Sequence, residues 1–222
     1  DQNRQAIAGT KKELAGVIGV ATAVGTAIVA GPVRSAMEYE SSMADVAKVV
    51  DGLKDGSGNF TKEYHQMKKE ILDLTTVIPM TSKELTEIAA AAGQAGLARE
   101  EITKFSVDAG KMGIAFDTTA AQAGEWMAKW RTSFGLTQEQ VVELADKINH
   151  LGDTSAAEAQ QIANIVTKVG PLGEVAGFAN GEIAALGATL ISTGVAEDVA
   201  ATGIKKLMTT MTAGTATFPQ RN

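Results

Sequence analysis

Few residues in this sequence could act in catalysis or metal binding, and none of them has a second catalytic or metal-binding residue at a suitable spacing. His65 and His150 are the only histidines, and neither has a second histidine at helical spacing. A metal site or a catalytic base needs such neighbours. Glu125, beside Trp126, is the one candidate for a catalytic acid, although a solvent-facing carboxylate next to a buried ring is the simpler interpretation. The adjacent acidic pairs elsewhere suit the first turns of helices, where the helix dipole favours negative charge.

Other catalytic signatures are missing from the sequence. The stretch from Gly93 to Gly96 lacks the Lys-Ser/Thr pair of a phosphate-binding loop, and no Gly-x-Ser-x-Gly occurs. There is no cysteine, and therefore no disulfide framework or Cys-based metal site. The net charge is -6, with basic residues only in isolated pairs, which gives little support for specific nucleic-acid binding. We therefore expect no enzyme activity, no cofactor and no metal.

The pattern along the chain is that of short helices rich in alanine and glycine. Apolar residues recur at spacings of three and four, and no window alternates with period two. This predicts an all-α fold, a bundle or array of roughly ten helices. Capping boxes are predicted at Thr81, Thr137 and Ser155. Helix ends are predicted at the glycines that follow the apolar stripes, namely Gly96, Gly113, Gly135, Gly152, Gly170 with Pro171, and Gly194.

One large apolar residue on each helix stripe is expected to anchor the core. Trp130 shares a helix face with Trp126, where a core anchor is more typical than a ligand platform. A weak internal repeat pairs Ile88 with Ile162 and Trp126 with Leu207. The predicted anchors are Ile88, Phe105, Trp130, Leu144, Ile148, Ile162, Leu186 and Leu207.

The sequence predicts four segments. Residues 1–50 contain a long apolar N-terminal helix and the helix after it. Residues 51–60, with three glycines, are predicted to be a flexible linker and domain boundary. Residues 61–213 form the helical core domain, and residues 214–222 a tail. Because the chain begins with Asp1, we expect a fragment or a processed product.

The segment from Leu14 to Val33 has no charged residue and is long enough to span a bilayer. Small residues at every fourth position form a stripe on which another helix can lie closely. We expect this stripe to pack between copies of the protein or against the following domain, or to enter a membrane. A membrane-active or pore-forming helical protein is therefore an alternative. The stripe consists of Ala15, Gly19, Ala23, Ala27 and Gly31.

From residue 32 onward, an ordered succession of motifs resembles the core region of phage tail tape measure (minor tail) proteins. The first motif resembles the family's aromatic-Glu-x-x-Met-x-x-Val opening, with Tyr39 where phenylalanine is commoner. Each motif alone is composed of common residues, so the order carries the resemblance. The motifs are Met37–Val46, Thr81–Leu85 with Ala91–Gly96, Leu144–Asn149, and Glu182–Leu186 with Gly194–Glu197 and Ala201–Leu207.

The resemblance implies a long, helical structural protein of a phage or prophage tail, without shared catalytic residues. Such a protein lies in the lumen of the virion tail and is made in the host cytoplasm. Its length sets the tail length, and it leaves the tail ahead of the genome. The implied partners are tail tube and tail tip proteins, tail assembly chaperones, further copies of itself and, on ejection, the host membrane. This chain is too short to be the whole ruler, since even one continuous helix would span only roughly 330 Å.

Overall fold

The computed structural model describes residues 34–213, for residue 174 the backbone only, and every regular element in this range is a helix. Between residues 34 and 213 the single β-bridge joins Lys54 and Phe60. The all-α fold class is thus confirmed for these residues, whereas the predicted apolar helix and its stripe lie outside them. The helices are α1 (34–49), α2 (Lys62–Leu74), α3 (Ser82–Gln94), α4 (Arg99–Ala115), α5 (Ala120–Ser133), α6 (Gln138–Thr154), α7 (Ala159–Ala176), α8 (Asn180–Ser192) and α9 (Glu197–Thr212).

Five joints between helices share one backbone device. After α3, α4, α5, α7 and α8, one residue adopts a left-handed φ between 51° and 89°. The N–H of the next residue then donates to the carbonyl five residues earlier, as from Leu97 to Ala92 at 3.1 Å. This is the Schellman motif, which satisfies carbonyls that the helix end leaves free. The left-handed residues are Gly96, Asp117, Gly135, Gly177 and Gly194, so the helix ends predicted at Gly96, Gly135 and Gly194 are confirmed.

Two of the three predicted capping boxes are confirmed. At Thr81 and Thr137 both reciprocal hydrogen bonds of the box are present. The prediction at Ser155 is wrong, because α6 continues to the residue before it. Glu158 instead accepts the first hydrogen bond of α7 through its carbonyl, while its N–H donates to the side chain of Gln161 at 3.1 Å.

The helix ends predicted at Gly113, Gly152 and Gly170 are wrong, because all three glycines lie inside helices. Gly152 and Gly170 are sites of close approach by another residue, whereas a Cβ at Gly113 would make only ordinary contacts, the nearest at 3.5 Å. A Cβ added to Gly152 would lie 2.9 Å from the backbone nitrogen of Ala159. α7 also continues through Pro171. Proline removes one helical hydrogen bond there, but α7 packs against both α8 and α9, which outweighs the loss.

Residues 51–60, the predicted linker, form a turn held by side-chain hydrogen bonds. The carboxylate of Asp55 accepts from the N–H groups of Ser57 at 2.9 Å and Asn59 at 2.8 Å. These hydrogen bonds, chiefly those from Asn59, lower the pKa of Asp55. Leu53, within the turn, is fully buried. The chain divides into compact units between residues 43 and 44, so this turn lies within the second unit.

Helices α2–α9 are two copies of one four-helix arrangement, which we call the first and second quartets. In α2–α5 the second helix packs against the other three, and the third packs against the first and fourth. α6–α9 pack in the same pairs. Ile88 in α3 corresponds to Ile165 in α7, a shift of 77 residues. The same shift carries all six buried residues of α3, and Tyr64, Met67 and Ile71 of α2, onto buried residues of the second quartet.

A repeat is thus present, but its register differs from the predicted one. Ile88 was expected to pair with Ile162, three residues from its structural counterpart. α7 extends one turn further than α3, and α8 is one turn shorter than α4. These opposite changes cancel, so α5 and α9 are again related by a shift of 77 residues. Leu207 therefore corresponds to Trp130 and not to Trp126.

Six of the eight predicted core anchors are buried, with exposures between 0% and 4%, namely Ile88, Phe105, Trp130, Leu144, Ile148 and Ile162. Leu186 is only half-buried. Leu207 is 47% exposed, so its predicted burial is wrong. The physical reason is the rotation of α9, whose buried face is formed by Ala200, Ala201, Ile204 and Met208.

Candidate helix-docking surface

The structure does not join the residues that could do chemistry into a site. His65 is exposed and meets the ring of Tyr64 edge-on, with centroids 5.3 Å apart. His150 is exposed near the end of α6. Glu125 is half exposed and forms an ion pair with Lys129 one turn along α5. Within residues 34–213, no three side chains of the His, Cys, Asp or Glu types are grouped so that they could hold a metal ion.

A cavity of about 290 Å³ lies between α4, α5 and α6. Met112, Phe116 and Met127 contribute to its apolar lining, and charged or polar side chains such as Asp146 and Asn149 also line it. Its volume is at the lower limit for small-molecule pockets. We interpret it as a gap between helices, because the residues predicted to do chemistry do not line it.

A polar network fastens α4 to α5 and α6. Arg131, whose side chain is 16% exposed, donates to Glu101 at 2.9 Å and to Gln138 at 3.4 Å. Lys104 pairs with Glu139 across the same helices. The hydrogen bond from Lys104, together with the N–H of Glu139 itself and the positive charge, lowers the pKa of Glu139 to about 2. The network therefore positions helices. The Lys104–Glu139 pair is exposed and contributes modest energy, whereas the side chain of Arg131 is largely buried.

The first quartet meets the second where α5 packs against α7. The indole nitrogen of Trp130 donates to the hydroxyl of Thr167 at 2.8 Å. One turn later, Phe134 lies against Gly170, where an added Cβ would be only 1.9 Å from the ring. Trp126, Trp130 and Phe134 are all buried, with exposures of 3%, 0% and 8%. The two tryptophans are therefore core residues, and the ring of Phe134 occupies a notch that only glycine can provide.

The same notch occurs one quartet earlier. Gly93 of α3 corresponds to Gly170 under the shift of 77 residues. A Cβ at Gly93 would lie 2.6 Å from a methyl group of Val50 and 2.9 Å from the carbonyl oxygen of Val49. In both quartets, an apolar residue at the end of the helix before the quartet occupies a glycine notch in the quartet's second helix.

On α9, the face equivalent to the α5 face that contacts α7 is not covered by any of residues 34–213. Gly203, Leu207 and Met211 occupy the positions equivalent to Trp126, Trp130 and Phe134. Leu207 is 47% exposed and Met211 56% exposed, and nothing lies within 4 Å of a Cβ added at Gly203. Val199, one turn before, is 62% exposed. We call this row, at a strict spacing of four, the α9 stripe: Val199, Gly203, Leu207 and Met211.

Ion pairs fix the start of α9 against α7. Lys168 pairs with Glu197 at 2.8 Å and with Asp198 at 2.7 Å. Hydrogen bonds to Asp198 and then Glu197 raise the pKa of Lys168, and the hydrogen bond from Lys168 lowers the pKa of Asp198. Asn164 also donates to Glu197 at 3.2 Å. α9 is therefore held in the rotation that leaves the α9 stripe exposed.

Sequence reasoning placed Leu207 on the apolar stripe of its helix and assigned that stripe to the core. A four-residue spacing predicts which residues share a face, and not what covers the face. The signal that could have identified the surface is the repeat in its correct register. It shows that α9 has small and aliphatic residues where α5 has three large aromatic ones.

Comparison with known proteins gives a family match over most of the chain. Residues 68–221 match the family model described as phage-related minor tail protein. A probable tape measure protein of Halomonas phage phiHAP-1 is 32% identical over 198 residues, which is 86% of this chain and 23% of that protein. The chain thus spans about a quarter of the length of this curated relative. No solved structure matches it.

Proposed function

The chain belongs to the phage-related minor tail protein family, and from that premise we propose that it is a structural segment of a tail tape measure protein. The family-level resemblance seen in the motifs is confirmed by both comparisons. The observation that carries the proposal is the 32% identity, over 198 residues, to a protein described as a probable tape measure protein. In this proposal the segment acts in tail assembly, in determining tail length and in genome ejection.

The proposed location is the lumen of the tail, with the host cytoplasm as the site of assembly. The proposed partners are tail tube and tail tip proteins, tail assembly chaperones and further copies of the chain. A repeated array of short helices supports this role, because quasi-repeated units bury their cores against their neighbours and build elongated structures.

We propose that the segment is not an enzyme. Glu125, the candidate acid, is half exposed and paired with Lys129. The purified chain should therefore leave purified peptidoglycan intact during an incubation of several hours. Cleavage that disappears in Glu125→Gln would establish a hydrolase instead.

The membrane alternative concerns Leu14 to Val33, which lie outside the described residues. No helix within residues 34–213 is long and apolar enough to cross a membrane. We propose that this segment packs against a helix before ejection and can contact the host membrane afterwards. Gly19→Leu with Ala23→Leu should weaken self-association or stability if close packing matters. Unchanged association together with stronger liposome leakage would favour the membrane-active alternative.

The tail role is tested by mass spectrometry of purified tails before and after ejection. Peptides from residues 62–213 should be present in intact tails at a fixed ratio to the tube protein, and lost after ejection is triggered. Their absence from intact tails would refute a structural role in the particle. Their retention in emptied tails would refute the ejection step while leaving the structural role intact.

A further inference from the structure

We propose that the α9 stripe is the docking site for a further α-helix built like α7. This helix carries a glycine opposite Met211 and a small polar residue opposite Leu207, and it runs parallel to α9. The proposal concerns what covers the α9 stripe, and it does not depend on the role of the protein in a tail.

The first argument is the equivalence between α5 and α9. Under the shift of 77 residues, the buried α5 residues Ala123, Gly124 and Met127 correspond to the buried α9 residues Ala200, Ala201 and Ile204. The large α5 residues that α7 covers have exposed counterparts on α9. The largest differences in burial between the two helices therefore lie on the face of Trp130 and Phe134, and on α5 that face is a helix–helix interface.

The second argument is the character of the α9 stripe. Single exposed apolar residues need no explanation, but a row along one helix at strict four-residue spacing is typical of a surface that another helix covers. The inner face of α9 is already fully packed against α7 and α8, so the stripe is not needed for the chain's own core. The open space at Gly203 lets a second backbone approach closely.

The third argument identifies the occupant. In the α5–α7 interface, Trp130 meets Thr167 and Phe134 meets Gly170. From the first contact to the second, the residue number rises along both helices, so α5 and α7 run in the same direction. The same geometry on α9 requires a helix with a glycine notch facing Met211.

Among residues 34–213, a folded second copy of this chain provides no α7-type helix with an open notch. In a folded copy, the notch at Gly93 is filled by Val50 and the notch at Gly170 is filled by Phe134. The chain covers only 23% of its curated relative, so proteins of that length have ample sequence for another helix of the α7 type. We therefore assign the α9 stripe to such a helix rather than to self-association.

The test uses the full chain and a labelled synthetic peptide of residues 159–176, which is α7 itself. Because an isolated helix of this length is marginal in water, a lactam between Lys168 and an aspartate introduced by Leu172→Asp stabilises the helix, and circular dichroism verifies it. Fluorescence anisotropy should show saturable binding to the chain. Leu207→Glu with Met211→Glu should weaken this binding about tenfold or more, because two charges would then be buried in an apolar contact.

Two controls separate this interface from general stickiness. Val77→Glu with Ile114→Glu introduces the same charges at other exposed apolar residues and should leave binding unchanged. A peptide with Gly170→Leu fills the notch and should lose binding at least as strongly as the α9 double variant. Since all four altered residues of the chain are exposed, the variants should keep the circular dichroism spectrum of the parent.

Two outcomes would overturn the proposal. The first is no saturable binding of the helical peptide, or binding that Leu207→Glu with Met211→Glu does not change. The second is a parent chain that sediments as a dimer and a double variant that sediments as a monomer, which would assign the face to a second copy. Neither outcome would bear on whether the protein is part of a tail, because that is tested on purified tails.

Discussion

The notch at Gly170 gives the sharpest test of how the two quartets are joined. Gly170→Ala adds one methyl group inside α7, and Gly203→Ala adds the same group inside α9. The first methyl would lie 1.9 Å from Cζ of Phe134, whereas the second would meet nothing within 4 Å. The two substitutions add the same group inside a helix and differ in what the new methyl group contacts. Gly170 also precedes Pro171, whose ring disfavours a Cβ on the preceding helical residue, so the contribution of Phe134 must be separated from that of Pro171.

The expected magnitudes follow from two opposing effects. Alanine favours a helix over glycine by about 1 kcal/mol, so Gly203→Ala should stabilise the protein by up to that amount. At Gly170 the same gain is opposed by overpacking, which costs typically about 1–3 kcal/mol, because carbon atoms prefer separations near 3.5–4.0 Å. Phe134 is 8% exposed and must shift by more than an ångström. The difference between the variants should thus be about 1–3 kcal/mol in the free energy of unfolding.

The assay is denaturant unfolding followed by circular dichroism, with Phe134→Ala as a second background. Removing the ring should make Gly170→Ala clearly less destabilising, with only the cost of a Cβ before Pro171 left, while Gly203→Ala should have the same effect in both backgrounds. If Gly170→Ala is as stabilising as Gly203→Ala in the parent chain, the notch does not exist in solution. If Phe134→Ala fails to rescue it, the clash involves a different residue.

Three further predictions concern single positions. Trp130→Ala should cost about 3–5 kcal/mol in chemical unfolding, because the ring is 0% exposed, and a loss under about 0.5 kcal/mol would place the ring at the surface. Asp117→Gly should raise stability by up to about 1 kcal/mol, because Asp117 is the one non-glycine residue between positions 34 and 213 with positive φ, at 51°; a decrease would show that its side chain matters more than its backbone strain. Glu139 has a lowered pKa of about 2 against an ordinary 4.5, so the stability it contributes is present above pH 4.5 and is lost as the pH falls toward 2. Acid unfolding of Lys104→Gln should lack this part of the pH dependence, and an unchanged profile would exclude the Lys104–Glu139 pair as its source.

Local signals in the sequence were sufficient for the parts of the fold that depend on neighbouring residues. The boxes at Thr81 and Thr137 and the ends at Gly135 and Gly194 were predicted correctly, because capping and left-handed turns involve residues within one helical turn. Ser155 shows the limit of this reasoning. A serine with a glutamate three residues later has the composition of a capping box. However, α6 extends to Thr154, and α7 begins only at Ala159.

The remaining features depend on residues distant in sequence. Gly135 ends a helix, whereas Gly170 lies inside one, where the ring of Phe134 packs against it. The residues near Gly170 in the sequence do not predict that contact. Leu207 shows the same limit for the candidate surface, because its spacing identifies an apolar face but cannot tell whether the chain's own core covers it. That distinction required the register of the two quartets, which the opposite length changes in α7 and α8 conceal.

The central claim, that this region is a length-determining structural segment of a tail, is tested most directly by measuring tails. The measurement is electron microscopy of virions in which residues 138–213, the second quartet, are duplicated in frame in the gene that encodes the chain. The account predicts uniformly longer tails, with an increase of up to about 110 Å if each added residue extends the ruler by the helical rise of 1.5 Å, and a smaller increase if the added quartet stays folded. Assembled tails of unchanged length, containing the duplicated protein, would contradict it.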